Sequence, residues 1–287
     1  MRRTLFFFSF LFLSVSLYSY EYEVAIAAIF QNEAPYMKEW IDYHRLMGVN
    51  HFWLYNDESS DSWAEVLQPY VAKGVVEVFD WSECRKRVKI WPRIQIEAFK
   101  HAMKRALGRT KWIALIDTDE FILPMQTKTI PSCLKRHFSD ARAIFAQWLV
   151  FGTSGVRLAK NEPMLPRLTS CSDKQHSWNS IGKTIVRPES VLIEKMWCPH
   201  HVPLKSSGYY LSGSGEKIQM VNNDLHMQSH QEKYIRINHY FFRDEKFYRE
   251  VKIPRKLKRN MSIDDLSNLH DACSKERDYT ILNMLKR

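Results

Sequence analysis

Lys111-Trp112-Ile113-Ala114-Leu115-Ile116-Asp117-Thr118-Asp119-Glu120 is a short apolar run that stops abruptly on carboxylates. A continuous apolar stretch closed by a polar turn reads as a strand buried on both faces, which belongs to a parallel sheet covered by helices. Asp117 and Asp119, one residue apart where such a strand ends, put hard oxygen donors at the rim of a sheet. Open α/β folds bind their ligands at that rim. Mg²⁺ and Mn²⁺ favour oxygen donors and often complete their shell with substrate phosphates. An Asp-x-Asp is also an ordinary solvated turn, so the surrounding sequence has to decide between the two.

Upstream, strand and helix signals alternate. Glu23-Val-Ala-Ile-Ala-Ala-Ile-Phe30 is a buried strand ended by Gln31-Asn32-Glu33. Pro35 suits a first helical turn, and Met37, Trp40, Ile41 and Met47 recur at helical spacing until Gly48. His51-Phe-Trp-Leu-Tyr55 predicts a second strand, residues 63–72 a helix, Val75-Val-Glu-Val-Phe79 a third strand and residues 92–107 a long amphipathic helix. Such repetition with short connections implies right-handed crossovers and a parallel sheet. The second half is less regular, with strand-like stretches at 143–151, 181–187 and 191–197 between loops rich in Ser, Gly, Asn and His.

The chain has 287 residues, 45% hydrophobic and 13% aromatic, enough for a sizeable core. Its formal charge of +10 is spread out rather than concentrated in a nucleic-acid motif. That balance points to an anionic substrate or membrane surface and away from nucleic acid. Arg2-Arg3 followed by the apolar residues 5–17 predict a secretory signal cleaved near Ser14-Val15-Ser16 or, extended to Tyr20, a short signal-anchor that keeps the body outside. Residues 1–22 are therefore set apart from a domain over 23–287. The five cysteines lack CxxC spacing, which excludes zinc-ribbon and redox motifs; in an oxidising compartment two pairs can form among them, leaving one thiol over.

Several residue groups have both a chemical and a plain reading. Asp57 in the turn 56–61 suits a ribose or base, while Asp61 or Ser62 suits a helix cap. Asn32 and Glu33 share that ambiguity. Phe151-Gly-Thr-Ser-Gly155 offers a close backbone approach to a sugar, or a flexible turn. His239 lies between apolar segments, on or near a strand, and can face the carboxylates. Residues 246–259 hold seven Lys or Arg against Glu250, which suits a diphosphate clamp, a lipid contact or a solvated helix.

In their order, these blocks resemble glycosyltransferase family 92 of the GT-A superfamily. The resemblance runs through Gln31-Asn-Glu-Ala-Pro-Tyr36 with Glu39-Trp40 and Tyr43-His-Arg45, and Gly48-Val-Asn-His-Phe52. It continues through Tyr55, Ser59-Ser60-Asp61, Gly74-Val-Val-Glu77, the stretch around Asp117-Thr-Asp-Glu-Phe121, Phe151-Gly-Thr-Ser-Gly155, Lys183-Thr-Ile-Val-Arg-Pro188, His200-His201 and Ile235-Arg-Ile-Asn-His-Tyr240. It implies an α/β, GT-A-type fold: a Rossmann-like, mostly parallel central sheet flanked by helices, with an irregular C-terminal half. A nucleotide-sugar half would span about 23–125 and an acceptor half about 126–260.

The implied activity is hexosyl transfer, galactosyl transfer among the expectations, from a nucleotide-sugar donor such as a UDP-sugar to a glycan or glycolipid, with Mn²⁺ (or Mg²⁺) and inversion. Asp119 would ligate the metal. Asp117 would join it or contact ribose or metal-bound water, and His239 would match the superfamily's C-terminal histidine ligand. Asn32, Glu33 and Asp57 would line the nucleotide pocket. Inversion also needs a base on the opposite face, for which Asp173 is the first candidate and Glu162 the second. Two other classes compete: a catalytically silent glycan-binding or secreted interaction protein, and a phosphohydrolase using Asp-x-Asp. Phosphohydrolases normally carry that motif on their first strand, whereas three strands precede it here.

Overall fold

The computed structural model describes residues 19–286 apart from 206, 207, 219, 222, 223, 226 and 228. The proposed N-terminal signal falls almost entirely outside these described residues. The first half alternates as the sequence predicts: β1 (Tyr22–Phe30), α1 (Ala34–Leu46), β2 (His51–Asn56), α2 (Trp63–Val71), β3 (Val76–Asp80), α3 (Ser82–Arg87), α4 (Trp91–Ala106) and β4 (Thr110–Leu115). There follow β5 (Glu120–Pro124), α5 (Ile130–His137), β6 (Ala143–Val150), β7 (Ser170–Cys171), β8 (Gly182–Val186), β9 (Tyr210–Ser212), β10 (Lys217–Ile218), β11 (Met220–Val221), β12 (Asp224–Leu225) and β13 (Ile235–His239). The chain closes with α6 (Glu245–Phe247), a π-helical turn (Tyr248–Lys252), α7 (Ile253–Leu257), α8 (Ile263–Ala272), β14 (Glu276–Arg277) and α9 (Thr280–Leu285).

One twisted sheet runs β10-β9-β6-β8-β4-β1-β2-β3, with β13 added to β6 and β5 added to β13. Strands β4, β1, β2 and β3 are mutually parallel. Strand β8 then lies antiparallel to both β4 and β6, so the second half is mixed. This is the α/β architecture expected from the sequence. The core residues of β1 explain why its sequence lacks polar alternation: Val24, Ile26 and Ala28 pack on one face, Ala25, Ala27 and Ile29 on the other.

Gly182 has a steric reason to be glycine. A Cβ there would stand 2.2 Å from the Ala146 carbonyl oxygen on the neighbouring strand.

Two expectations need correction. Residues 191–197 form no strand; 3₁₀ turns at Pro188–Ser190 and Ile193–Lys195 replace it, with an isolated bridge from Val191 to Leu204. Pro188 opens the first of these turns, where its fixed φ and missing N–H favour a turn over a paired strand. The cysteines do not pair either: all five are free thiols, and four of them are buried.

Helix α1 is bolted to β5 through side chains. Trp40 Nε1 donates to the Glu120 carbonyl at 2.8 Å and the Tyr43 hydroxyl to Ile122 O at 2.9 Å. His44 Nδ1 donates to Trp40 O at 2.9 Å while its Nε2 accepts from Ile122 N at 3.2 Å, which fixes a neutral ring. Burial holds this imidazole down at about 3. The unfolded chain takes up a proton below about 6.5, and the folded ring does so only near 3, so stability is intact above 6.5 and declines as the pH falls through that window. The expected loss is about 1.4 kcal/mol per pH unit below 6.5. Urea unfolding midpoints should therefore drop between pH 7.5 and 5.5, and equal midpoints would contradict a neutral His44.

Candidate active site

The acid pair sits in the turn between β4 and β5. That turn is tied by Asp117 N donating to Glu120 Oε2 at 2.9 Å and Tyr240 N donating to Asp119 O at 2.8 Å. Asp117 accepts from Gln95 Nε2 at 2.5 Å and pairs with Lys183 Nζ at 3.1 Å. Asp119 has Oδ1 3.5 Å from His239 Nε2 and Oδ2 3.5 Å from Lys252 Nζ. Burial alone would raise the Asp119 carboxyl; Lys252, His239 and Arg243 outweigh it and hold the group well below the usual carboxylate range. Glu120 is wholly buried beneath the pair. Its desolvation pushes the carboxyl well up despite Lys183 at 4.0 Å.

Sheet pairing brings the distant histidine here. Strand β13 runs antiparallel to β5 with His239 opposite Glu120, and parallel to β6 with His239 opposite Val150. The imidazole lies against Trp148, ring centroids 4.3 Å apart, and burial lowers its proton affinity even with Asp119 beside it. Its Nδ1 is a buried nitrogen without a hydrogen-bond partner.

The third component is cationic. The π-helical turn, α7 and the turn after it present Lys252, Arg255, Lys256 and Arg259 to the cavity that Asp117 and Asp119 line. Single π-helical turns are frequent at functional sites. Lys252 and Lys256 lie over the Phe241 ring at 3.8 and 4.7 Å, and Arg259 stacks on Trp91 at 4.7 Å. Burial first, then the charges of Lys252 and Arg259, bring Lys256 down to about 8. The cavity holds about 610 Å³ and is also lined by Glu33, Gln95, Trp148, Trp178, Lys183, His200 and His239.

The other residues singled out in the sequence have varied placements. Glu33 lines this cavity, buried, with Arg243 Nη2 at 2.5 Å and Arg255 Nη1 at 3.7 Å; burial raises its carboxyl although Arg243 opposes the shift. Asn32 adopts φ 55° and ties two loops together, its N donating to Ser59 Oγ at 3.0 Å and its Oδ1 accepting from Ser60 N at 2.8 Å. Asp57 is fully buried behind the cavity, held by both arms of the Arg85 guanidinium, with Nε at 2.6 Å. Neither Asn32 nor Asp57 lines the cavity. Asp61 caps α1 rather than α2, accepting from Ala34 N at 2.8 Å, because β1 and β2 end side by side.

The two carboxylates considered as bases lie outside the cavity lining. Exposed Asp173 closes a local turn by accepting from Gln175 N at 2.7 Å. Glu162 accepts from Ala159 N at 2.8 Å and pairs with Arg167.

Sequence reading missed Lys183, Lys252 as a partner of Asp119, and the position of His200. His200 lines the cavity as a neutral ring, lowered to about 4 by burial first and then by Lys183, and its Nδ1 donates to the Gly182 carbonyl at 3.1 Å. The block Lys183-Thr-Ile-Val was a usable signal, since a lysine inside an otherwise apolar strand needs a buried partner.

As a metal centre, the arrangement supplies one carboxylate oxygen and one imidazole nitrogen 3.5 Å apart. Among the described residues no three of His, Cys, Asp and Glu converge in metal-holding geometry. A cation that takes one or two protein ligands and fills its shell with phosphate oxygens and water fits such a donor set.

An α/β sheet thus carries an acid pair at the carboxyl end of its fourth strand, with a basic segment lining the same cavity. The sequence model of Glycosyltransferase family 92 matches residues 20–277, and the chain belongs to that family. It is 25% identical over 204 residues to a glycosyltransferase family 92 protein of Oryza sativa subsp. japonica, covering 69% of this chain and 32% of that protein. With one of Ricinus communis it shares 25% over 238 residues, 79% of this chain and 37% of the relative. The chain thus spans about a third of the length of these curated relatives. Among solved structures, it resembles S. aureus TarS 1–349 in complex with UDP-GlcNAc (TM-score 0.39, 11% identity, 66% of this chain and 58% of that one). It also resembles a mannosyltransferase from Pyrobaculum calidifontis in complex with GDP-Man and Mn²⁺ (TM-score 0.33, 17% identity, 45% and 36%).

Proposed function

We propose that this protein transfers a hexose from a nucleotide-sugar donor, a UDP-sugar first of all, to a hydroxyl of a glycan or glycolipid with inversion. The observation that carries the proposal is that one cavity joins Asp117, Asp119 and His239 to the cationic face of residues 252–259. Lys252, Arg255, Lys256 and Arg259 line one cavity, and burial first, then the charges of Lys252 and Arg259, bring Lys256 down to about 8, so the cluster suits an anion. A diphosphate is the anion that nucleotide-sugar chemistry supplies.

Asp119 and His239, with Asp117 beside them, would hold Mn²⁺ or Mg²⁺, whose charge would offset that of the departing diphosphate. Lys252, Arg255, Lys256 and Arg259 bind and orient the diphosphate, which lowers the charge cost of departure in a partly desolvated cleft. Lys183 and Gln95 hold Asp117 in its rotamer. The acceptor hydroxyl must give up a proton as the new bond forms. We assign the base to His200: with Nδ1 donating to Gly182 O, the neutral ring keeps the Nε2 lone pair for that proton. The apolar residues 5–17 fit delivery into, or attachment to, a membrane system.

The test is thermal unfolding with a panel of nucleotide diphosphates, with and without Mn²⁺. A cognate nucleotide at about 100 times its Kd contributes about 2.7 kcal/mol, a shift on the order of 5 °C. The expected result is a shift for one base that requires the cation. Oligosaccharide binding with no response to any nucleotide would overturn the proposal in favour of a silent glycan-binding protein.

A further inference from the structure

A second cleft, of about 570 Å³, adjoins the first and shares Ile90 with it. Its floor is one face of α4, where Arg93, Ile96, Glu97 and Lys100 follow i, i+3, i+4, i+7 spacing. The end of α3 and the segment after it contribute Arg87 and Lys89, and the opposite wall is Met196-Trp197. The volume is in the range of small-ligand sites, about 300–1,000 Å³.

Its chemistry differs from that of the first cavity. Four cations face a single carboxylate, Glu97, which Lys100 already neutralises at 3.1 Å. Among the described residues Arg87, Lys89 and Arg93 have no carboxylate partner; Arg87 reaches only the Glu83 carbonyl at 3.5 Å. Trp197 leaves 54% of its surface exposed and Ile90 55%. An exposed indole beside unpaired cations recognises a ligand with an apolar face and a negative charge, because the ring supplies dispersion and the cations supply Coulomb attraction. A pyranose bearing a carboxylate, sulfate or phosphate has both.

We infer that this cleft binds an acidic glycan, the acceptor whose hydroxyl is presented to the first cavity past Ile90. The inference rests on the transferase reading for the word acceptor, but the binding of the acidic glycan can be measured without it.

The experiment measures affinity by calorimetry for oligosaccharides carrying a carboxylate, sulfate or phosphate, each beside its neutral parent, using the full chain with and without UDP and Mn²⁺. We expect at least one acidic member to bind tenfold or more tightly than its parent, and added salt to erode the difference as it screens exposed charges. Lys89→Gln with Arg93→Gln should abolish the preference for the acidic member, since hydrogen bonds to charged groups carry roughly tenfold or more each. Trp197→Ala should weaken acidic and neutral members alike. The affinity for UDP should not change in either variant. Equal binding of acidic and neutral members, or anionic phospholipid vesicles as the sole ligand sensitive to Lys89 and Arg93, would overturn the inference. If UDP fails to bind wild-type protein while the acidic glycan does, the donor reading falls and the glycan site stands.

Discussion

Replacing Asp119 with asparagine is expected to abolish Mn²⁺-dependent nucleotide binding and sugar transfer, and also to lower the stability of the ligand-free protein. The first effect follows from chemistry. An amide is neutral, so the single carboxylate facing His239 no longer offers an anionic oxygen to a cation. Losing an outer-sphere partner costs a metal site about 10- to 100-fold, and a direct ligand should cost more than 100-fold. The second effect follows from the surroundings. Asp119 is the countercharge for Lys252, which is itself 6% exposed. Removing one member of a buried pair leaves the other uncompensated, at about 3–5 kcal/mol. Combining Asp119→Asn with Lys252→Met should recover most of the stability and none of the binding. Titration calorimetry with Mn²⁺ and UDP, next to urea unfolding of the wild type and both variants, measures both effects. Undiminished Mn²⁺-dependent binding in the single variant would refute the metal assignment.

His200→Asn is expected to separate binding from turnover. General base catalysis contributes about 10²- to 10⁴-fold, so kcat should fall within that range while nucleotide affinity stays near the wild-type value. The asparagine amide can still donate to the Gly182 carbonyl, so the loop that carries residue 200 keeps its anchor. A normal rate in this variant would return the search to Glu33, the remaining cavity-lining carboxylate outside the acid pair.

Much of the frame was legible because the signals were local. Continuous apolar runs give β1, β2 and β4, and the spacing of Met37, Trp40 and Ile41 gives α1, since each of these patterns is set by burial on neighbouring turns or faces. The acid pair was legible for the same reason, lying where an apolar run stops. What escaped depends on pairing between strands far apart in sequence. Nothing near Lys183 says that β8 will lie antiparallel to β4 and bring its ammonium to Asp117. Residues 246–259 show their charge but not the π-helical turn that directs Lys252 at Asp119. Asp173 and Glu162 were chosen by their place in the order of loops, which carries no information about which way a loop folds. Asp57 was correctly set in the turn after β2, yet its buried pairing with Arg85 of α3 had no sequence signal.

The division of β6 bears on how the molecule reaches its working form. Residues 143–147 pair with β8, whereas residues 148–150 turn to β13. The carboxylate of Asp119 and the ring of His239 therefore meet only after a loop of most of the second half has closed, a late and slow event for any chain. Nascent protein released short of β13 would carry the strands β1 to β4 without the contact between Asp119 and His239. The nucleotide binding proposed above would then double as a readout of complete maturation, which a pulse-labelled refolding series can follow directly.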